Sequence, residues 1–225
     1  MKQLLKTLIF SSLLFFVSQS VSAQRWGVEA GYTLTGLQQK HNNIVGDFSL
    51  MNGCYLGLRY DYNFLGSGTS SKLMLGGALL FEMRAGRYDI DWYKSGSTLS
   101  PMLFYGILPI DLTFARSFGK KSDNLSYFVF LGPRLNVGIF GSTKEHYYLA
   151  TRDQIEDKKP FEGAYNQFDA GVGVGAGIQY DWLSVKFTYE FPLTNSTHNA
   201  EPDVMKQHQF KFSVGYSFPE RRKKP

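Results

Sequence analysis

Apolar and polar side chains alternate at every second position in eight separate stretches of the chain. A period of two is the signature of a β-strand with two unlike faces. The first stretch sets Trp26, Val28, Ala30, Tyr32 and Leu34 against Gly27, Glu29, Gly31 and Thr33. The others run over 53–64, 73–84, 102–114, 126–139, 168–180, 183–191 and 210–218, most of them ten residues or longer. Long polar connections fall near 35–50, 87–98, 141–164 and 194–207, and short ones near 65–71, 118–124 and 181–182. An even-numbered meander with all its long connections at one end is the pattern of an outer-membrane barrel.

The stretch "FDAGVGVGAGIQY" places Gly171, Gly173, Gly175 and Gly177 on one face. The spacing G-x-G-x-x-G of a nucleotide-binding loop fails in both frames, because Ala176 and Ile178 stand where the third glycine is needed. Glycine weakens a strand, so a glycine face implies something packed close to the backbone. In a narrow barrel that face is expected to line a crowded lumen and to leave room for larger residues from facing strands.

Periodicity alone fits a soluble ligand-binding barrel equally well, with the apolar face turned inward. The polar face decides, being dominated by Gly, Ala, Ser, Asn and Thr and too poor in lysine for a solvated exterior. The apolar face carries aromatics towards its ends, among them Trp26, Tyr62, Phe64, Phe114, Tyr127, Tyr180, Tyr216 and Phe218, as interfacial girdles require. The expected fold is all-β, an eight-stranded antiparallel up-and-down transmembrane β-barrel with its apolar face towards lipid.

Composition agrees with that class: 16% of residues are aromatic, with 19 Phe, 14 Tyr and 23 Gly. Residues 1–23 read as a signal peptide, with Lys2 and Lys6, the apolar run "LIFSSLLFFV" and small residues before Gln24. The barrel domain is then 24–218, and 219–225 forms a basic periplasmic tail, "PERRKKP". Without the two signal lysines, 22 Lys and Arg face 19 Asp and Glu, and a net charge of +3 gives no case for nucleic acid. The single cysteine, Cys54, excludes an internal disulfide framework.

The inward face collects Glu29, Asp61, Glu82, Asp111, Asp169 and Glu190 with Arg59, Arg84, Arg134, Lys186 and Lys211. Paired carboxylates can serve as general acid and base. Six acids against five bases in a narrow interior fit a salt-bridged plug better, since buried charges persist when paired. The same-strand pairs Arg59 with Asp61 and Glu82 with Arg84, two apart, and Lys186 with Glu190, four apart, are the expected partners. His41, His146 and His198 fall in the long connections, and His208 opens the last strand. Ser196 near His198 is the one hint of catalysis at the rim, and no His/Cys/carboxylate spacing recurs that would hold a metal. The 141–164 connection, with His146, Tyr147 and Tyr148, is the best place for a protein partner, because function concentrates on loops of rigid scaffolds.

Several stretches resemble the PorT-like outer-membrane β-barrel family of small exported Gram-negative proteins. They are "YFVFLGPRLNVGIF" (127–140) with its mid-strand Gly-Pro, "FDAGVGVGAGIQYDWLSVKFTYEFPLTN" (168–195) and the closing strand "FKFSVGYSF" (210–218). "FYGILPIDLTF" (104–114) corresponds to the family's proline-containing fourth strand. The usual Leu-Glu-Ile-Pro there is replaced by Gly106-Ile107-Leu108-Pro109, so no role of that Glu is carried over. The resemblance implies an outer-membrane barrel, and one branch of the family serves a protein-secretion and gliding apparatus.

The function expected is therefore non-enzymatic: a monomeric barrel among outer-membrane lipids, without cofactor, its lumen plugged, presenting external loops for interaction or adhesion. The alternatives are a component of a secretion or envelope-assembly complex and a rim enzyme acting on lipid or peptide.

Overall fold

The structure, a computed structural model, describes residues 24–41, 44–45, 49–65, 70–90, 97–118, 124–149, 152–162, 165–196 and 204–218. The expected signal segment (1–23), the basic tail (219–225) and His198 lie outside them. All eight expected strands are present. They are β1 (Gln24–His41), β3 (Ser49–Leu65), β4 (Ser71–Gly86), β6 (Ser97–Ser117), β7 (Leu125–Leu149), β9 (Phe168–Tyr180), β10 (Leu183–Pro192) and β11 (Val204–Ser217). Each pairs antiparallel with its neighbours, and pairing of β11 with β1 and of β6 with β7 closes the sheet into a barrel. Closure removes the unpaired edge that no membrane interior can satisfy.

Three short strands were not expected. β2 (Ile44–Val45) folds back on the end of β1, and β5 (Tyr88–Ile90) continues the line of β4 along β6. β8 (Arg152–Lys158) pairs with the upper end of β7. Long connections are accordingly shorter than the sequence suggests. The 141–164 stretch, read above as an open loop, is a hairpin of β7 and β8 followed by a 3₁₀ turn, Pro160–Glu162. β8 escapes a periodicity reading because "RDQIEDK" has no apolar alternation.

The faces are set as the alternation requires. Leu56, Leu79, Leu131 and Phe168 are 56–65% exposed, whereas Glu29, Thr33, Glu82 and Arg84 are almost wholly buried. An exposed apolar belt of this extent is foreign to a solvated surface and suits lipid. Aromatics bound the belt at both ends. At the short-turn end Trp26 packs on Tyr60 (4.8 Å between centroids), Phe118 on Tyr127 (4.9 Å) and Trp182 on Tyr216 (5.1 Å). At the other end Phe81, Phe104 and Phe140 form one cluster and Tyr189, Phe191 and Phe210 another.

The short-turn end also holds both ends of the barrel chain, since Phe218 N–H donates to the Trp26 carbonyl (2.7 Å). The β9–β10 turn is two residues, Asp181 and Trp182, with Asp181 at φ 55°, a conformation aspartate tolerates. At the opposite end a bulge in β7 leaves Ile139 and Phe140 both facing out. Beyond it Gly141 and Thr143 take the inward positions, and the wall continues upward with its faces reset.

The interior contains two apolar clusters besides its charges. Met51, Tyr55, Leu80, Leu103, Tyr105, Ile107 and Tyr165 fill the long-connection half, with Phe161 packed against them. Ala115, Phe128 and Phe130, with Met74, fill the short-turn half.

Candidate functional site

The four glycines of β9 face inward and pair in register with β7: Gly171 with Arg134, Gly173 with Gly132, Gly175 with Phe130 and Gly177 with Phe128. A Cβ on Gly177 would strike the Phe128 ring, one on Gly175 the Phe130 ring, and one on Gly173 would lie 2.6 Å from Arg134 Nε. The large residues that need the space therefore lie on the adjacent strand. The glycine alternation alone points to strands across the barrel, but a side chain lying flat along the wall reaches its neighbour first.

All eleven predicted charges occupy the inward face, their side chains between 0% and 16% exposed. A continuous chain of contacts crosses the lumen. Asp111 meets Arg134 (2.6 Å), Arg134 meets Glu190 (3.3 Å) and Glu190 meets Lys211 (3.1 Å). Lys211 meets Glu82 (3.0 Å) and Glu82 meets Arg84 (2.8 Å). Arg84 closes the series by donating to Gln207 (2.8 Å) and Gln209 (3.3 Å) while lying 4.1 Å above the Tyr105 ring. Nearer the short turns, Arg59 holds Asp61 (2.6 Å) and donates to Ser184 Oγ (3.0 Å). Lys186 holds Glu29 (2.8 Å), which also accepts from Tyr55.

Two expected same-strand pairs form, Arg59–Asp61 and Glu82–Arg84. The third does not, because Lys186 turns to Glu29 across the lumen and Glu190 is taken by Arg134 and Lys211. Asp169 accepts the Thr194 hydroxyl (2.6 Å), which fastens the chain after β10 to the start of β9. At the short-turn end the network borders a small cleft that is partly open to solvent. Glu29, Arg59, Asp61, Asp111, Gln179 and Lys186 line it.

His146, Tyr147 and Tyr148 lie on the upper part of β7, opposite Ile155, Gln154 and Asp153 of β8. The hairpin leads directly into Pro160 and Phe161, which turn inward over the barrel mouth. Phe161 packs edge-on against Tyr105 (5.5 Å), and Gly138 supplies its seat, since a Cβ there would lie 2.7 Å from Phe161 Cδ1. Pro160 sits against Gly141, and Tyr165 N–H donates to the Pro160 carbonyl (2.8 Å). These residues are functional candidates that the sequence reading missed. The only sequence signals were two inward glycines on β7 and an aromatic beside a proline.

For rim chemistry, His208 Nδ1 lies 2.8 Å from Tyr189 Oη on the lipid-facing side, and Ser196 is buried. Among the described residues no group of three or more His, Cys, Asp or Glu side chains is placed to hold a metal ion.

Among solved structures, the chain is similar to Ail, the attachment invasion locus protein of Yersinia pestis. Identity is 14% and the TM-score 0.37, over 87% of this chain and 99% of that one. It is also similar to OprG from Pseudomonas aeruginosa (12%, TM-score 0.39, 88% and 97%) and to the outer membrane enzyme PagL (10%, TM-score 0.33, 84% and 99%). At those values no activity is carried over from any of them. No curated protein matches the sequence. Residues 17–198, most of the chain, match the family model described as outer membrane protein beta-barrel domain, and the chain belongs to that family of outer-membrane barrels.

Proposed function

We propose that the protein is a non-enzymatic scaffold of the outer membrane whose closed barrel presents the β7–β8 hairpin for interaction or adhesion. One observation carries the reading: β7 is 25 residues and β6 is 21, where about 9–11 suffice to cross the bilayer. With the short turns on the periplasmic side, the surplus stands outside the cell as a paired sheet. The lumen beneath it is filled by ion pairs and aromatic rings, an arrangement that supports a platform better than a conduit.

The test replaces residues 144–157 by a two-glycine turn and compares cells carrying either form. Barrel insertion should be unchanged, while surface cross-linking to partners or attachment to a matrix should be lost. Unchanged cross-linking and attachment would remove the hairpin from the account.

The second reading, a component of a secretion or envelope-assembly complex, draws on the PorT-like stretch 168–195 and its Asp169–Thr194 clasp. Co-purification of a stoichiometric periplasmic partner would favour it over the platform. A changed lipid profile in a deletion strain would assign the protein to rim enzymes instead.

A further inference from the structure

The lumen is closed very differently at its two ends. Towards the periplasm the charge network opens into the cleft that contains Asp111 and Glu29. From Asp111 the polar chain rises without interruption through Arg134, Glu190, Lys211 and Glu82 to Arg84. Above Arg84 it meets a layer of packed rings and aliphatic side chains: Tyr105, Phe161 and Tyr165 with Met51 and Leu103.

Along that polar stretch several buried atoms have no protein hydrogen bond. Thr33 Oγ1 and Thr35 Oγ1 belong to side chains with no exposure, and Glu190 Oε2 and Asn136 Oδ1 to residues 3–5% exposed. Lys211 Nζ lies within ion-pair distance of two carboxylates without an aligned hydrogen bond. Thr33 pairs in register with Lys211, Thr35 with Gln209, and Gln209 with Glu190, so these groups occupy adjacent rungs of β1, β11 and β10. Buried polar groups are satisfied by protein or by ordered water, and water settles where two or more such groups converge.

We propose that the lumen carries a file of internal water continuous with the periplasm, and that the Pro160–Glu162 turn is the stopper separating it from the outside. The stopper is a fitted part. Phe161 occupies the space left by Gly138, and Pro160 that left by Gly141, both on β7 above and below its bulge. It hangs from β8 by the single residue Lys159, so force or binding at the external hairpin acts on it directly. With the stopper displaced, protons pass along the water file, whereas larger hydrated ions remain excluded by the intact ion pairs. This inference does not depend on the hairpin having a partner.

The experiment reconstitutes the full barrel in vesicles loaded with a pH-sensitive dye and imposes a proton gradient, with potassium flux recorded in parallel. Wild type should leak protons no faster than protein-free vesicles. Phe161→Ala empties the seat from the stopper side, and Gly138→Ala pushes the ring out from the wall side. Each variant, if folded by its heat-modifiable mobility, should raise proton flux several-fold and leave potassium flux at baseline. Folded variants with unchanged proton flux would overturn the stopper, as would wild type already leaking at the variant rate. Potassium moving with the protons would overturn the water file in favour of an open pore. Wild type alone gives an independent reading by hydroxyl-radical footprinting. Tyr55, beside this polar stretch and 5% exposed, should be labelled like a solvated residue, and its protection would exclude internal water.

Discussion

Gly175 and Gly177 show what single residues decide in this barrel. Each accommodates a phenylalanine of the neighbouring strand, so a side chain there must displace both a ring and a backbone carbonyl of β10. Valine at Gly175 is expected to cost about 1–3 kcal/mol by overpacking. Valine at Ala176, which points to lipid, should be nearly neutral. Denaturant unfolding from lipid vesicles measures both, and equal stabilities would contradict the assigned faces. Arg134 decides as much by charge, since it serves Asp111 and Glu190 together. Arg134→Met should cost about 3–5 kcal/mol by leaving buried carboxylates short of a cation, and adding Glu190→Gln should return part of that loss. An Arg134→Met variant as stable as wild type would show the network to be dispensable. The inward charges were legible because each interrupts an otherwise small and neutral face. Their partners were not, because Lys186 choosing Glu29 depends on curvature across the lumen, which spacing along one strand does not encode.

At the scale of strands, period-two alternation was enough to find all eight wall elements and the outward set of each. It failed where both faces are apolar. In Tyr127-Phe128-Val129-Phe130 the inward rings of Phe128 and Phe130 are hidden among lipid-facing neighbours, and their need for glycine appears only through register with β9. It failed again beyond the apolar belt, where five of the seven residues of β8 are charged and the strand is held by backbone pairing. Arginine at Leu56, Leu79, Leu131 or Val185, all exposed on the apolar belt, should cost about 2–4 kcal/mol near the midplane and impair insertion. Barrels carrying arginine at each of the four and inserting normally would argue for a soluble cylinder. Protease added to whole cells should cut within 141–164 and spare 119–124 until the outer membrane is breached. The reverse pattern would invert the topology.

For the whole molecule, the central claim is a lipid-embedded cylinder whose interior is occupied. Eight strands enclose a space about one layer of side chains wide, and aqueous channels belong to barrels of roughly sixteen strands. Here that layer consists of the chain of ion pairs from Asp111 to Arg84, the rings of Tyr55, Tyr105, Phe128 and Phe130, and the Phe161 stopper. Truncating any one of these still leaves the others across the path of a hydrated ion. The most direct test is the conductance of the purified wild-type protein in planar lipid bilayers. The account predicts no stable, uniform current steps in potassium chloride, whichever direction the protein inserts. Reproducible large steps that disappear when Gly173 is replaced by a bulky residue would contradict it and make the barrel a small porin.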